Sequence, residues 1–335
     1  MSSKLLFRNT LEIRNTSRLA FIPLVYSLAA KIAQVPLRDM VNDPTYFANS
    51  LETACKLFRY DGIINAFDGT IEAEACGCKL EWGRDYDPPT LTKGRNLNEQ
   101  LPDDLTWSER VSVLLEVTKR LSISVGKEVA IIGVITGPLS LTENLFGRLD
   151  ERQGQNPEIQ EAIPLLGNLL TKFTRRLCEL RIDAVFVREE AVGASFPNKV
   201  MLFPETYTTL FNIIRYYNSY PVLMVRDLES EGIQNLCDLL RPSGIILSGR
   251  RFNEDDLTYL KKLSDSLRIC FGLALPVGDQ NKLGEQLDLV NDFVIKSEAR
   301  GFFYTSDGEI PYNIPIETIH NVMDRISTEF RGENI

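Results

Sequence analysis

A single (β/α)8 barrel of the α/β class is predicted by three features of this 335-residue chain. Eight short runs rich in β-branched and aromatic residues recur along it, and amphipathic segments of helical period separate them. The runs are continuously apolar rather than alternating, as expected for parallel strands covered on both faces. Eight strand–helix units with no Gly-rich turn after the first strand favour a closed barrel over a doubly wound sheet.

Taken in order, residues 1–18 or so form a lead-in, and the first strand is "AFIPLVY" (20–26). "GIINAF" (62–67), "VAIIGVIT" (129–136) and "DAVFVR" (183–188) follow, then "PVLMVR" (221–226), "GIILSG" (244–249), "ICFGLAL" (269–275) and "GFFYTS" (301–306). Helices are expected over "PTYFANSLETACKLFRY", "SERVSVLLEVTKRLSISVG" and "EIQEAIPLLGNLLTKFTRRLCELR". Asp43 before Pro44, and Asp255, stand in capping positions. The longest connections follow strand two (roughly 80–105) and strand four (roughly 190–203). In a barrel both would lie on the face where the strands end, the face that carries reacting groups. No repeat, low-complexity tract or Pro/Ser-rich linker divides the chain, so one domain is expected.

Apolar residues make up 44% and charged residues 25%, normal for a globular enzyme. A formal charge of −9 argues against nucleic acid as a partner, since phosphate neutralisation needs a basic surface. No apolar run is long enough to span a membrane, and the N-terminus lacks the apolar core of a secretory signal. The six scattered cysteines point to reduced, buried thiols and a cytoplasmic setting. A histidine-based triad is excluded in practice, because the one histidine, His320, lies in a late helix. Neither a P-loop nor a strand-linked GxGxxG is present.

The strand ends define the available chemistry. Asp68 ends strand two, with Glu72 and Glu74 following; Arg188, Glu189 and Glu190 end strand four. Arg226, Asp227 and Glu229 follow strand five, Arg250 and Arg251 strand six, and Asp307 and Glu309 strand eight. Asn144 lies just past strand three. Carboxylates gathered at one rim need pairing, a metal or a cationic ligand to stay ionised. Asp68, Glu190, Asp227 and Asp307 are therefore the candidate catalytic groups. Glu74, Asn144, Glu189, Arg188, Arg226 and Arg250 are candidate substrate contacts. If a metal is bound, Asp68, Glu190 and Asp227 are its expected ligands.

The opening "RLAFIPLVYSLAAKIAQVPLRDMVNDPTYFANSLETACKLFRYDGIINAFDGTIEAEACGCKLEW" resembles the uroporphyrinogen decarboxylase superfamily, which includes corrinoid-dependent methyltransferases. "ITGPLSLTENLFG" and "TSDGEIPYNIPIETIHNV" are similar to the family's segments after strands three and eight. The resemblance implies the same barrel. It places Asp68 at the aspartate with which the tetrapyrrole decarboxylases hold pyrrole N–H groups. Their arginines after strand one have no counterpart in "LVYSLAAK", their tyrosine falls on Asn144 and their histidine near Asp307. The zinc ligands of the thiol-activating methyltransferases fall on Val225, Asp227 and Gly308, so a thiol-activating zinc site is not expected.

The resemblance thus implies methyl transfer from a small methylated donor to a corrinoid carried by a partner protein. The alternative is decarboxylation of a tetrapyrrole or related pyrrolic acid, with Asp68 stabilising positive charge. A small-molecule substrate is expected in both, and apolar stretches on late helices allow a homodimer.

Overall fold

The structure is a computed structural model that describes residues 1–96, 99–148, 156–189, 200 and 203–328. The described elements begin with α1 (Ser3–Leu11), β1 (Ala20–Ile22), α2 (Ser27–Ala33), α3 (Leu37–Asn42), α4 (Pro44–Phe58), β2 (Gly62–Ile64) and α5 (Ile71–Ala75). A hairpin of β3 (Lys79–Glu81) and β4 (Thr90–Lys93) precedes α6 (Glu109–Ser124), β5 (Ala130–Thr136), α7 (Pro138–Phe146), α8 (Pro157–Glu179) and β6 (Ala184–Arg188). Then come α9 (Pro204–Tyr216), β7 (Tyr220–Arg226), α10 (Ser230–Leu240), β8 (Gly244–Ser248) and α11 (Glu254–Leu267). The last are β9 (Cys270–Leu275), α12 (Gln280–Ser297), β10 (Phe302–Ser306) and α13 (Ile316–Thr328).

Eight of the described strands form one sheet in the order β1-β10-β9-β8-β7-β6-β5-β2, with every adjacent pair parallel. The order runs around a circle, and helices cover its outside. The eight apolar runs of the sequence are these eight strands. Full burial of β5, β8, β9 and β10 explains why they read as unbroken apolar stretches.

The circle is closed by an ion pair rather than by a ladder. The Asp61 N–H donates to Phe21 O at 2.9 Å, and the Phe21 N–H donates to Asp61 Oδ2 at 2.9 Å. Arg18 Nη1 and Nη2 then donate to the two oxygens of Asp61, each at 2.7 Å. Asp61 is fully buried, so this bidentate pair is the charge balance of the seam.

Two strands stop earlier than the sequence pattern suggests. β1 ends at Ile22 because Pro23 has no N–H to continue the ladder. β2 ends at Ile64 because the next residue turns its side chain into the sheet. Asn65 Oδ1 accepts the Val134 N–H at 3.0 Å, and Nδ2 donates to Thr118 Oγ1 at 3.1 Å. Both breaks lie on the face where the strands end, and both free the chain to curl over the barrel mouth.

Helix α1, within the lead-in, packs on the opposite end. Phe7 meets Phe303 edge-on with centroids 5.4 Å apart, and Lys4 Nζ lies 2.8 Å from Asp183 Oδ1. Asp43 caps α4 by accepting from the Thr45 and Tyr46 N–H groups at 2.7 and 2.9 Å. At α11 the cap is Asn253 rather than Asp255: Asn253 and Asp256 form a reciprocal capping box, and Asp255 lies in the first turn. His320 packs against Phe58 on the outer shell, with ring centroids 5.3 Å apart. All six cysteines are buried and free. No helix among the described residues is long and apolar enough to cross a membrane.

Candidate active site

The loop after β2 enters the mouth with Asp68, whose side chain is only 2% exposed. Its Oδ1 accepts from the Thr70 N–H at 2.9 Å and the Thr70 hydroxyl at 2.7 Å. Its Oδ2 accepts from the Tyr26 hydroxyl at 3.2 Å and is ion-paired with Arg110 Nη2. Arg110 also donates to Glu74 Oε2 at 2.8 Å and stacks over the Trp82 ring at 5.1 Å. Asp68 is therefore half of a buried ion pair, fixed from four directions, and not an open carboxylate. Glu72 turns inward, where its two oxygens accept from the Thr136 N–H and hydroxyl at 2.8 and 2.9 Å. Burial pushes the Glu72 carboxyl upward. Asn144 Nδ2 donates to Gly69 O at 3.0 Å and so pins the same loop.

Arg188, the last residue of β6, reaches across the mouth toward this loop. Its guanidinium lies 4.8 Å from the centre of the Phe67 ring. A Cβ added at Gly69 would fall 1.7 Å from Arg188 Nη2, so glycine is what lets the guanidinium rest against the loop backbone. Arg188 makes no ion pair with a described side chain, although its charge is felt by Glu72 and Glu309. It is a positioned cation without a fixed counter-ion among the described residues.

Glu309, three residues beyond β10, completes this side of the mouth. Its Oε1 accepts the Ser27 N–H at 2.5 Å. Burial, with the nearby negative charge of Asp68, pushes its carboxyl up to about 7 against the pull of Ser27 and Arg188.

A second grouping joins β7, β8 and β10. Asp307 Oδ1 accepts from Arg226 Nη1 at 3.2 Å and from the Gly249 N–H at 3.0 Å. Asp227 is held in the left-handed region at φ 53° and is 57% exposed, with Oδ2 3.9 Å from Arg226 Nε. Two other candidates face away from the mouth. Glu189 is fully buried and accepts from the Leu139 and Ser140 N–H groups at 3.2 and 2.8 Å and from the Tyr207 hydroxyl at 2.5 Å. It caps the N-terminus of α7, and burial pushes it up to about 7. Arg250 pairs with Asp256 and donates to Leu228 O at 2.8 Å, holding the start of α11. Glu190 lies outside the described residues.

The structure thus brings Asp68, Glu74, Asn144 and Arg188 to one side of the mouth and Arg226, Asp227 and Asp307 to another. Arg110 and Tyr26 were not among the residues singled out from the sequence, and Glu309 was named after strand eight but not among the candidate catalytic or binding groups. Arg110 had left a signal: with Leu114, Val117 and Leu121 it occupies the buried stripe of α6, and a cation on an apolar stripe needs a buried acid.

No group of three or more His, Cys, Asp or Glu side chains able to hold a metal ion occurs among the described residues. The thiol-activating zinc of the resembled methyltransferases does not fit either. Val225 is a buried apolar strand residue, Gly308 has no side chain, and Asp227 alone could ligate.

A parallel eight-stranded barrel with charged groups converging beyond the strand C-termini defines the barrel-enzyme class of site. Residues 6–155 match the family model described as uroporphyrinogen decarboxylase (URO-D). The methylcobamide:CoM methyltransferase MtbA of Methanosarcina acetivorans is 28% identical over 173 residues, covering 48% of this chain and 50% of that protein. Its counterpart in Methanosarcina mazei is 30% identical over 173 residues, with the same coverage of 48% and 50%. The chain spans about half the length of these curated relatives. A solved methyltransferase from Methanosarcina mazei shares the fold, with a TM-score of 0.79, 14% identity and 98% of each chain covered. A B12-independent methionine synthase from Shewanella sp. W3-18-1 shares it more loosely, with a TM-score of 0.56 and 14% identity over 86% of this chain and 87% of that one. The chain is thus similar to the uroporphyrinogen decarboxylase family over residues 6–155 and to methylcobamide methyltransferases over about half of its length.

Proposed function

We propose that the protein is a methyltransferase that moves a methyl group from a small donor, bound in the barrel mouth through oxygen or nitrogen, to a corrinoid on a partner protein. The observation that carries this reading is the match to two methylcobamide methyltransferases over about half of the chain. The corrinoid supplies the methyl-accepting cobalt. The chain's own residues bind and orient the donor. The Asp68–Arg110–Glu74 network forms a rigid wall with two carboxylates to one guanidinium, and Arg188 offers the one positioned cation of this side that lacks a fixed partner among the described residues. An anionic end on the donor suits that cation.

The test is methyl transfer to reduced cobalamin, used as the corrinoid probe, from a panel of O-methyl and N-methyl donors, with uroporphyrinogen assayed in parallel for CO₂ release. Protein-dependent methylcobalamin formation without CO₂ release is expected. Release of CO₂ with no methyl transfer would replace this reading by the decarboxylase one. Arg188→Gln is expected to raise KM for a carboxylate-bearing donor roughly 10–100-fold and to change kcat little, as for loss of uniform binding. An unchanged KM would remove Arg188 from the donor site.

A further inference from the structure

We propose that Glu309 is the proton donor to the leaving heteroatom of the methyl donor, an inference that rests on the methyl-transfer reading above. One of its oxygens is anchored by the Ser27 N–H at 2.5 Å, so the carboxyl cannot swing away. The Ser27 hydroxyl also bonds the carboxyl, and its second oxygen is not walled off from solvent. The carboxyl therefore presents one fixed and one available oxygen, which is the arrangement a proton carrier needs.

The surroundings favour a proton on that oxygen before reaction and its release during it. Asp68, after β2, adds negative charge that disfavours an ionised Glu309, while Arg188, from β6, stabilises the carboxylate once formed. Tyr26, after β1, faces both acids and stays protonated because burial raises it well above the usual phenol range. Arg110, from α6, is committed to Asp68 and Glu74, and Arg188 also acts on Glu72. No other described acid at the mouth combines burial with an available oxygen. Glu72 spends both oxygens on Thr136, and Glu189 spends both on α7 and Tyr207.

The step balances without a further reagent. The bond between the methyl carbon and the donor heteroatom breaks with its electron pair left on the heteroatom. The methyl group passes to the reduced corrinoid, whose cobalt supplies the electron pair of the new bond. The Glu309 proton moves to the heteroatom, leaving an alcohol or amine and a carboxylate facing Arg188. Water at the mouth then restores the proton.

Two measurements on the full chain decide the matter. In a Glu189→Gln background, which removes the other carboxyl raised to about 7, infrared titration should show a protonated-carboxyl band lost as pH rises through about 7, and adding Glu309→Gln should abolish it. If Glu309→Gln leaves that band intact, Glu309 is not the acid and the proposal falls, whatever the activity. In the cobalamin assay, Glu309→Gln should lower kcat about 100-fold or more for an aryl methyl ether, whose leaving oxygen needs a proton. It should leave tetramethylammonium turnover within a few-fold, since trimethylamine departs neutral. An equal loss for both donors means a structural role only and overturns the proposal. Absence of methyl transfer by the unaltered protein would instead count against the methyltransferase reading, with the infrared result still deciding the state of Glu309.

Discussion

Arg110→Met is expected to destabilise the protein by about 3–5 kcal/mol, because it leaves Asp68 charged and buried without its counter-ion. Arg110 is 6% exposed, and its guanidinium joins Asp68, Glu74 and the Trp82 ring, so little solvent can replace it. The loss should appear as a lower denaturant midpoint at unchanged slope. Removing both partners, as Arg110→Met with Asp68→Leu, should recover most of the stability, since a buried pair is costly chiefly when broken on one side. Emission from Trp82 should change in the single variant, because the stacked cation on one face is gone. A single-variant cost below about 1 kcal/mol would mean that Asp68 is not held as described.

Asp61→Ala is expected to cost a similar amount, about 3–5 kcal/mol, for a different structural reason. It strips the seam between β1 and β2 of three hydrogen bonds, two from Arg18 and one from the Phe21 N–H. Arg18 is left beside a cavity, and Phe21 becomes an orphaned buried donor. Hydrogen exchange at Phe21 should accelerate far more than at the β7–β8 ladder on the other side of the barrel. Equal protection at both places in the variant would show that the seam closes without Asp61.

These two ion pairs also show what could be read from the sequence and what could not. The eight strands were legible because a strand buried on both faces leaves a continuous apolar run, as β9 does from Cys270 to Leu275. The mouth was legible in outline because acids and arginines sit where those runs stop. Partners were harder. Arg110 lies 42 residues from Asp68 on a helix, so no local pattern ties the two. Its place on the buried stripe of α6 was the available clue.

Period-two alternation separates Arg188 from Glu189. Arg188 shares a face with Phe186, which packs against Phe303 at 6.5 Å between centroids, and so points to the barrel interior. Glu189 shares the opposite face with Val187 and points out to α7 and α9. Proximity to a strand end alone placed both in the site. Glu309 stood three residues past β10 and was passed over for Asp307, because only the fold reveals that Ser27 anchors it.

The account turns on the claim that this barrel mouth delivers a methyl group to cobalt. Rapid mixing of the protein and a deuteromethylated ether donor with reduced cobalamin tests it in a single turnover. The prediction is loss of the reduced-cobalt spectrum at a rate set by protein concentration, with the intact deuteromethyl group recovered on cobalt. Persistence of reduced cobalamin at the protein-free rate, across O-methyl and N-methyl donors, would contradict it.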